Sequence, residues 1–519
     1  MGDANGNQSD LRQLLQVLLH LAVFLVLRYL VFDVGCVAEE DYSQAFLLRA
    51  VAIRLVTTLP GWFLLIGFIV ARDRLLLPWD RLQHGKWLRG FAVAVACVVA
   101  LSFVGQARNL YFDQEYLADR VSLIVLAFSI WFRPALIVPF TLCLIAFAGQ
   151  FAIPIDGYGW DRHLLGVHRL EVHLLLIVIV GYLTTSQQMS IAPSRSTVLL
   201  IAVVLAASYF VPGQGKLRMG WAFVPTAHLS LFGAWSHGWL SNFTAEEIVT
   251  LTERLRPTAL PMQAMVLLIE CGAVLVLVRR VALVLIPMWL AFHGGVWLLY
   301  GFSFWAWIVV DLAVFALVWR CPDGFRFNWK QVTLAGLLVV TSVFWLAPNR
   351  LAWFNAPLTN TYEITATTRD GSDIVVHPAA LAPYDYIFTM QLFGGIANER
   401  LSVAPYGATT RSDTALLPGP EIAARQRYKT VRASNPKLQE QLASVLKKYG
   451  KNWNSGQDNT STLGFLALPP LLNSTRENHS LINRDSVSVS VVRRCTYING
   501  KTVESEVREE CLRVDFAAN

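Results

Sequence analysis

The chain has 519 residues, of which 55% are hydrophobic and 15% are charged, and its net charge is +7. The mean hydropathy is +0.46, whereas a soluble globular domain carries about 25% charged residues. This composition excludes a soluble globular enzyme, a disordered regulator and a fibrous protein.

The charged residues are distributed unevenly along the chain. Residues 348–519 hold 35 of them in 172 positions, whereas residues 1–347 hold 44 in twice that length. We therefore predict a transmembrane domain over 1–347 and a smaller water-facing domain over 348–519. Membrane lipid is then a partner of the first region.

Apolar blocks fill most of the first region. A helix needs about 20 mostly apolar residues to cross the hydrocarbon core, and about eleven blocks approach that length. The fourth is short and fits a re-entrant or tilted piece. The blocks lie near 11–32, 50–71, 88–105, 120–132, 135–153, 165–185, 197–212, 261–278, 281–300, 303–319 and 331–347. The fold predicted is a polytopic α-helical membrane bundle of about 11 spans.

Basic residues alternate between successive connections. The first connection is acidic, whereas the even-numbered ones carry Arg72, Arg74, Arg81, Lys86, Arg89, Arg133, Arg195, Arg279, Arg280, Arg320, Arg326 and Lys330. Cytoplasmic loops of membrane proteins are enriched in such residues. We therefore expect a cytoplasmic N-terminus and a C-terminal domain in the periplasm, exterior or lumen. Because the basic residues are spread over these loops, the net charge does not indicate a nucleic-acid partner.

Two connections on the predicted outer side, 153–170 and 212–260, are long and rich in aromatic residues. Long loops on a rigid scaffold are a common place for a functional site. The alternative, which the loops alone favour, is that they simply cap the bundle.

The C-terminal region predicts a small extracytoplasmic α+β, β-rich domain. A strand pair surrounds Asp370-Gly371, a strand covers 486–492, and a second pair flanks Asn499-Gly500. Residues 434–450 form a helix that Gly450 is expected to end. Cys495 and Cys511 lie 16 residues apart, and a disulfide between them is one of two open alternatives in an oxidising compartment.

Ionisable residues inside apolar spans are functional candidates because they are costly there unless paired or hydrated. Glu270 lies in the middle of MVLLIECGAVLVLV and His293 in PMWLAFHGGVWLLY, and for both a structural polar cluster remains the alternative. For Asp311 the structural interpretation is favoured. The histidines His163, His168 and His173 recur every five residues and do not share a helix face, so no metal site is expected.

Lys216 follows an apolar run, in the segment PGQGKLRMGW. Its proline and glycines are expected to end the helix there. The loop favours a lysine that extends to the lipid headgroups. The alternative is a partly desolvated pocket, in which a neutral amine serves as a base.

Two stretches resemble a known family. YFVPGQGKLRMGW at 209–221 is similar to the Y-F-x-x-G-x-x-K-L…W segment of the HTTM membrane proteins, which are related to vitamin K-dependent gamma-carboxylase. PMWLAFHGGVWLLYGFSFWAWIVVDLAVF at 287–315 resembles their paired spans, and the stretch before it has the same mid-span glutamate. The likeness covers most of the membrane domain and is faint in the C-terminal domain.

The resemblance implies a reaction and its cofactors. In the carboxylase a lysine deprotonates a reduced naphthoquinone (a vitamin K-type quinol), and with oxygen and carbon dioxide a substrate glutamate is carboxylated. Lys216 matches that lysine, with His173 and His163 as the histidines that orient it. His293, Glu270, Trp221 and Tyr209 fall on the matching segments and are the residues expected at the cofactor, and the substrate would be a protein or peptide on the outer face.

The chain also departs from the family pattern. The carboxylase has a second lysine beside the first, where this chain has Gly215. The C-terminal domain is also small beside the luminal portion of the carboxylase. A non-enzymatic accessory or assembly subunit, which binds a partner through its extracytoplasmic domain, is therefore the alternative function.

Overall fold

The structure is a computed structural model. It describes residues 3–81, 84–151, 160–184, 192–218, 220–301, 303–346, 348, 355, 357–384, 436–457, 459–466, 485–498 and 500–516. Within these ranges the side chains of 3–10, 81, 160–168, 192–194, 358, 360, 378–379, 493, 495 and 506–509 are not described.

Helices fill the first two thirds of the chain. They are α1 (Asp3–Gly35), α2 (Leu47–Thr57), α3 (Leu59–Leu75), α4 (Gly85–Val104), α5 (Leu117–Ser129), α6 (Ile137–Gly149), α7 (Trp160–Leu183), α8 (Ala192–Arg218), α9 (Ser230–Ser236), α10 (Ala245–Leu255), α11 (Ala259–Cys271), α12 (Arg279–Tyr300), α13 (Trp305–Arg320), α14 (Trp329–Val340) and α15 (Ser342–Trp345). The helix α8 lies at the centre, packed against α1, α7, α11 and α14.

The predicted apolar blocks are helical, but fewer of them qualify as spans than expected. Among the described residues, five helices are long and apolar enough to cross a membrane, or six if the bent pair α2/α3 counts as one span. Most of the other blocks form helices of 12 to 16 residues, such as α14 and α13. The predicted count of eleven spans is therefore not met, because several of the apolar blocks form helices too short to cross a membrane.

The helices α2 and α3 meet at an angle of 85°. Thr58 causes the break, because its backbone is extended and its hydroxyl accepts a hydrogen bond from the Gly61 N–H. Pro60 follows in the first turn of α3, where a proline is tolerated. The second predicted span is therefore a broken one.

Connections between helices gather at two ends of the bundle. At one end, which we call the domain end, Gln114 donates to the Ser43 carbonyl oxygen at 3.0 Å. The acidic first connection and the third connection therefore lie together. Glu115 in that third connection accepts hydrogen bonds from Thr462 of the C-terminal domain.

The opposite end, which we call the basic end, gathers the even-numbered connections. Arg133 donates to the Leu76 carbonyl oxygen at 2.9 Å, and Arg320 lies 5.4 Å from the centre of the Trp87 ring. The N-terminal helix also reaches this end, where Gln13 accepts from Asn328 at 3.3 Å. The start of the chain and the C-terminal domain therefore lie at opposite ends of the bundle.

The C-terminal region forms a four-stranded antiparallel sheet in the order β2-β1-β3-β4. Its strands are β1 (Leu358–Thr368), β2 (Asp373–Val376), β3 (Ser486–Ile498) and β4 (Val503–Asp515). The three predicted strand positions are confirmed. Gly371 adopts a φ of +81° in the first turn, and hydrogen bonds from Thr368 and Ser372 lower the pKa of Asp370 to about 2.

One expectation for this region is wrong, and the strand register bears on the question that the two cysteines left open. The predicted helix is α16 (Pro436–Asn454), which continues past Gly450. The glycine is needed there for packing and not to end the helix, because a side chain would meet the Phe516 ring. The strand register pairs Cys495 with Glu506, whereas Cys511 lies opposite the bulge at Val491 and Val492. The two positions are about 12 Å apart along β3, which is beyond the span of a disulfide.

A polar network fixes the C-terminal domain to the domain end. The Asn109 side-chain amide donates to Gln150 Oε1 and to the Tyr384 hydroxyl, both at 2.9 Å, and its Oδ1 accepts from the Tyr111 and Phe112 N–H groups. Tyr384 in turn donates to the Gln150 carbonyl oxygen at 3.0 Å. We call Asn109, Gln150 and Tyr384 the docking network.

Candidate functional site in the membrane domain

The segment that carries Lys216 is helical. The helix α8 runs through Pro212, Gly213 and Gly215 and ends at Arg218, so the expectation that these residues end the helix is wrong. In a dehydrated environment an unsatisfied backbone group is costly, and a helix that satisfies its own groups is preserved across a proline. Lys216 is thereby placed in the last turn of the central helix.

Lys216 does not extend to the headgroups. Its side chain is buried, with 5% of its surface exposed, and its Nζ donates to Glu270 Oε1 in an ion pair. Glu270 is also buried and lies eleven residues, or about 16 Å, along α11 from Ala259. A buried charge requires a partner of opposite sign, and α11 supplies that partner 54 residues further along the chain.

The chain after α8 folds back against α11, and Gln263 holds it there. The Gln263 amide donates to the carbonyl oxygens of Trp221 and Val224 at 2.6 and 2.9 Å. Its oxygen accepts from the N–H groups of Thr226 and Ala227 at 3.0 and 3.3 Å. One buried side chain thus satisfies four backbone groups, and Trp221 is positioned with its ring centre 5.6 Å from Lys216 Nζ.

A second group of polar residues lies beside the ion pair. The Tyr209 hydroxyl donates to Asp311 Oδ2 at 2.5 Å and lies 2.8 Å from His293 Nε2. All three side chains are buried, and that of Asp311 is 0% exposed. His293 Nε2 and Asp311 Oδ2 are 3.8 Å apart, which is too far for a direct hydrogen bond, so the Tyr209 hydroxyl links them. The residues come from α8, α12 and α13.

Aromatic rings enclose both groups. The Tyr209 ring stacks on Trp289 with centroids 3.9 Å apart and planes 6° from parallel, and Trp307 contacts it edge-on at 5.5 Å. Phe292 lies 6.0 Å from Lys216 Nζ and next to His293 in sequence. Such rings exclude water and strengthen every charge interaction between them.

Several buried polar atoms of this site have no hydrogen-bond partner among the described residues. They are Glu270 Oε2, His293 Nδ1, Asp311 Oδ1, Trp221 Nε1 and Trp307 Nε1. Buried polar atoms are normally paired, so a concentration of exceptions requires an explanation. We define the candidate site as Lys216, Glu270, Tyr209, His293 and Asp311 with the aromatic rings around them.

The helices α8 and α11 approach closely at this point. A side chain at Gly213 would lie 2.9 Å from both Cys271 Sγ and Glu270 Cβ. The glycine is therefore required for the backbone approach. It allows Lys216, one turn further along α8, to meet the carboxylate without extending its side chain toward the end of the bundle.

The histidine expected to orient Lys216 lies elsewhere. His173 is buried between α7 and α1, with its ring 5.6 Å from Phe24 and 6.1 Å from Phe32. No described contact joins His173 to Lys216, and the side chain of His163 lies outside the described residues. The histidine that the structure brings near Lys216 is His293. No group of three or more potential metal ligands occurs among the described residues.

Five of the seven predicted site residues meet in the structure: Lys216, Glu270, His293, Tyr209 and Trp221. Sequence reasoning placed Asp311 in a structural role and did not identify Gln263. The signal for Asp311 was available, since it is a second acid in a span. Gln263 gave no comparable signal, because an amide near a helix end is common.

The chain matches no family model, no curated protein and no solved structure.

Proposed function

We propose that the protein is an integral membrane enzyme that carries out a carboxylase-like, quinol-dependent modification of a protein substrate, with Lys216 as its base. The observation that supports this most is the buried pair of Lys216 and Glu270 beside unpaired polar atoms and aromatic rings. A lysine that only extended to the lipid headgroups would not be buried among these residues.

The residues present fit a reduced naphthoquinone. Trp221 and Phe292 offer flat apolar surfaces next to Lys216, and Glu270 Oε2 and Trp221 Nε1 are a free acceptor and a free donor among the described residues. The neighbouring Leu217 and Leu268 are exposed on the bundle surface, and we propose that the quinol enters from the bilayer on this side. When bound, the quinol supplies with oxygen the strong base that a carboxylation by carbon dioxide requires.

The chain supplies a proton acceptor and a means of making it neutral. Lys216 donates to Glu270 Oε1 in the structure, and transfer of that proton to the carboxylate leaves the Nζ lone pair free to accept another. In low dielectric the neutral pair is accessible because it removes two buried charges. Glu270 therefore determines when Lys216 is a base.

We further propose that the basic end faces the cytoplasm and the C-terminal domain faces the periplasm, exterior or lumen. The concentration of arginines at one end supports this orientation. The opposite positions of the N-terminus and the C-terminal domain support an odd number of crossings, as in the eleven-span topology.

The test uses Lys216→Arg in purified protein supplied with reduced naphthoquinone, oxygen, carbon dioxide and glutamate peptides. Arginine preserves the charge opposite Glu270 but is not deprotonated in proteins. We expect quinol-dependent product from the wild type, a loss of at least about 10²-fold in the variant, and no loss in the matched exposed variant Lys451→Arg. Absence of product from the wild type, or equal turnover by Lys216→Arg, overturns the proposal.

The alternative function is an accessory subunit, and one observation favours it. Lys216 and Glu270 neutralise each other, as an ion pair with only a structural role would. In this case Lys216→Arg leaves function in cells intact. Substitutions on the surface of the C-terminal domain instead abolish co-purification of a stoichiometric partner protein.

A further inference from the structure

Tyr209, His293 and Asp311 form a connected chain of hydrogen bonds rather than a set of separate contacts. Tyr209 donates its only proton to Asp311 Oδ2 at 2.5 Å, so its oxygen accepts from His293 Nε2, 2.8 Å away. In this arrangement the lone pair of His293 is on Nδ1. The chain therefore has a direction, from His293 to Asp311.

Both ends of this chain are open. Among the side chains that the structure describes, none bonds to His293 Nδ1 or to Asp311 Oδ1. A structural network in a dry interior is expected to satisfy all its members, because each unpaired atom destabilises the fold. An unpaired acceptor at one end and an unpaired carboxylate oxygen at the other suit a chain that takes up a proton.

The chain is held rigidly. The Tyr209 ring stacks on Trp289, whose own Nε1 donates to the Ile269 carbonyl oxygen at 3.0 Å. Ile269 immediately precedes Glu270, so the stack that fixes the phenol is attached to the turn that carries the carboxylate. Proton transfer requires such fixed donor and acceptor positions.

The open end at His293 lies near the ion pair. Tyr209, whose hydroxyl lies 2.8 Å from His293 Nε2, is seven residues before Lys216 on α8, which places both side chains on one face of that helix. Phe292 contacts the Lys216 Nζ from the same turn of α12 that carries His293. The two polar groups are therefore neighbours at the packing of α8, α11 and α12.

We propose that His293, Tyr209 and Asp311 are a proton relay that resets Lys216. A proton released by Lys216 Nζ binds to His293 Nδ1, the Nε2 proton passes to the Tyr209 oxygen, and the phenol proton passes to Asp311 Oδ2. One proton moves at each step, so His293 ends as its other tautomer, Tyr209 is unchanged and Asp311 is a neutral acid. The relay deepens the proposed function and rests on it.

The experiment measures protonation of Asp311 by infrared difference spectroscopy on the full chain in lipid nanodiscs after an acid jump. Asp311→Asn still accepts the Tyr209 hydrogen bond but cannot take a proton, so it identifies the carboxylic acid band by its loss. Tyr209→Phe retains the ring on Trp289 and removes the link. The exposed Tyr29→Phe is its control.

We expect a band in the wild type and in Tyr29→Phe, and its loss or slowing by at least about tenfold in Tyr209→Phe. Turnover with reduced naphthoquinone is expected to fall by about 10²-fold in both site variants. A band that persists in Asp311→Asn, or turnover of both variants within twofold of the wild type, overturns the relay. If Tyr209→Phe does not fold, Asp311→Asn alone decides.

The two proposals fail in different ways. Turnover that depends on Lys216 but not on Tyr209 or Asp311 overturns the relay and leaves the proposed function standing. An Asp311 band that depends on Tyr209, in a wild type that gives no quinol-dependent product, supports the relay as a proton path and overturns the proposed function.

Discussion

The docking network and the candidate site are both buried polar clusters, but they differ in how completely their atoms are paired. Asn109 uses its two amide protons and both lone pairs of its oxygen, and Gln150 and Tyr384 complete the set. The candidate site leaves Glu270 Oε2, His293 Nδ1 and Asp311 Oδ1 without partners among the described residues.

Under the proposed function, this difference separates a cluster that fixes geometry from one that binds a ligand or exchanges a proton. A fully paired network gains stability and specificity from burial. A network with unpaired members loses stability, and such a loss is typical of functional sites. Burial and polarity alone therefore do not distinguish the two clusters, whereas the pairing of their atoms does.

The largest effect on stability is expected from Lys216→Met. The substitution leaves Glu270 buried without its counterion, which is expected to lower the free energy of unfolding by about 3–5 kcal/mol. The double variant Lys216→Met/Glu270→Met removes both charges and should recover that loss. Denaturant titration in detergent micelles measures both.

The exposed substitution Lys451→Met is the control for this prediction. If Lys216→Met is no less stable than the control, the ion pair does not have the energetic role assigned to it. Failure of the double variant to recover would mean that packing, rather than charge, carries the effect.

Next in size is Asn109→Ala in the docking network. The N–H groups of Tyr111 and Phe112 lose their acceptor, and each unsatisfied buried donor costs about 1–3 kcal/mol, so we expect about 2–4 kcal/mol in unfolding free energy. The exposed Asn242→Ala serves for comparison. Quinol-dependent turnover per folded molecule should stay unchanged, and a fall in turnover would contradict the division between the two clusters.

A smaller effect is expected from two matched tyrosine variants. Tyr384→Phe removes a hydroxyl with two partners and should lower the free energy of unfolding by about 1–2 kcal/mol without changing turnover. Tyr209→Phe should instead reduce turnover far more than stability. Equal effects of the two substitutions on both stability and turnover would show that the docking network and the candidate site do not differ in role.

The smallest effect is the pH dependence of stability that Glu115 contributes at the domain end, where it accepts hydrogen bonds from Thr462. Partial burial opposes ionisation, but two hydrogen bonds from Thr462 and the charges of Arg120 and Arg108 outweigh it and lower the pKa of Glu115. Its contribution is therefore present above about pH 4.3, the ordinary value for glutamate, and is lost as the pH falls through the lowered pKa.

Melting temperatures of the wild type and Glu115→Gln should accordingly differ at neutral pH and converge in acid. The exposed Glu440→Gln on α16 is the control and should follow the wild type throughout. A constant difference between Glu115→Gln and the wild type at all pH values would show that ionisation of Glu115 is irrelevant to docking.

Hydropathy and turn patterns were sufficient for much of the fold. Apolar blocks located the helices, and alternation around Gly371 and Gly500 located the strands, because both patterns reflect burial along a single element. Span length was not predictable in the same way, since a helix such as α14 ends within its apolar block, at Thr341, whose backbone leaves the helical conformation.

The site was predictable residue by residue but not as an arrangement. Glu270 and His293 were visible because an ionisable group in an apolar run is rare. The local sequence around Lys216 favoured a headgroup position, and only the packing of α11 against α8 reversed that interpretation. Tertiary partners 54 or 102 residues away leave no trace in a local pattern.

The contact at Gly213 has a consequence for how variants of this protein should be interpreted. A residue without any functional group sets the distance between two helices that carry opposite charges. A single methyl group at this position would therefore push Glu270 away from Lys216, although it takes no part in the chemistry itself. Screens for loss of function should find position 213 as intolerant as position 216, although alanine is the gentlest of substitutions almost everywhere else in a helix.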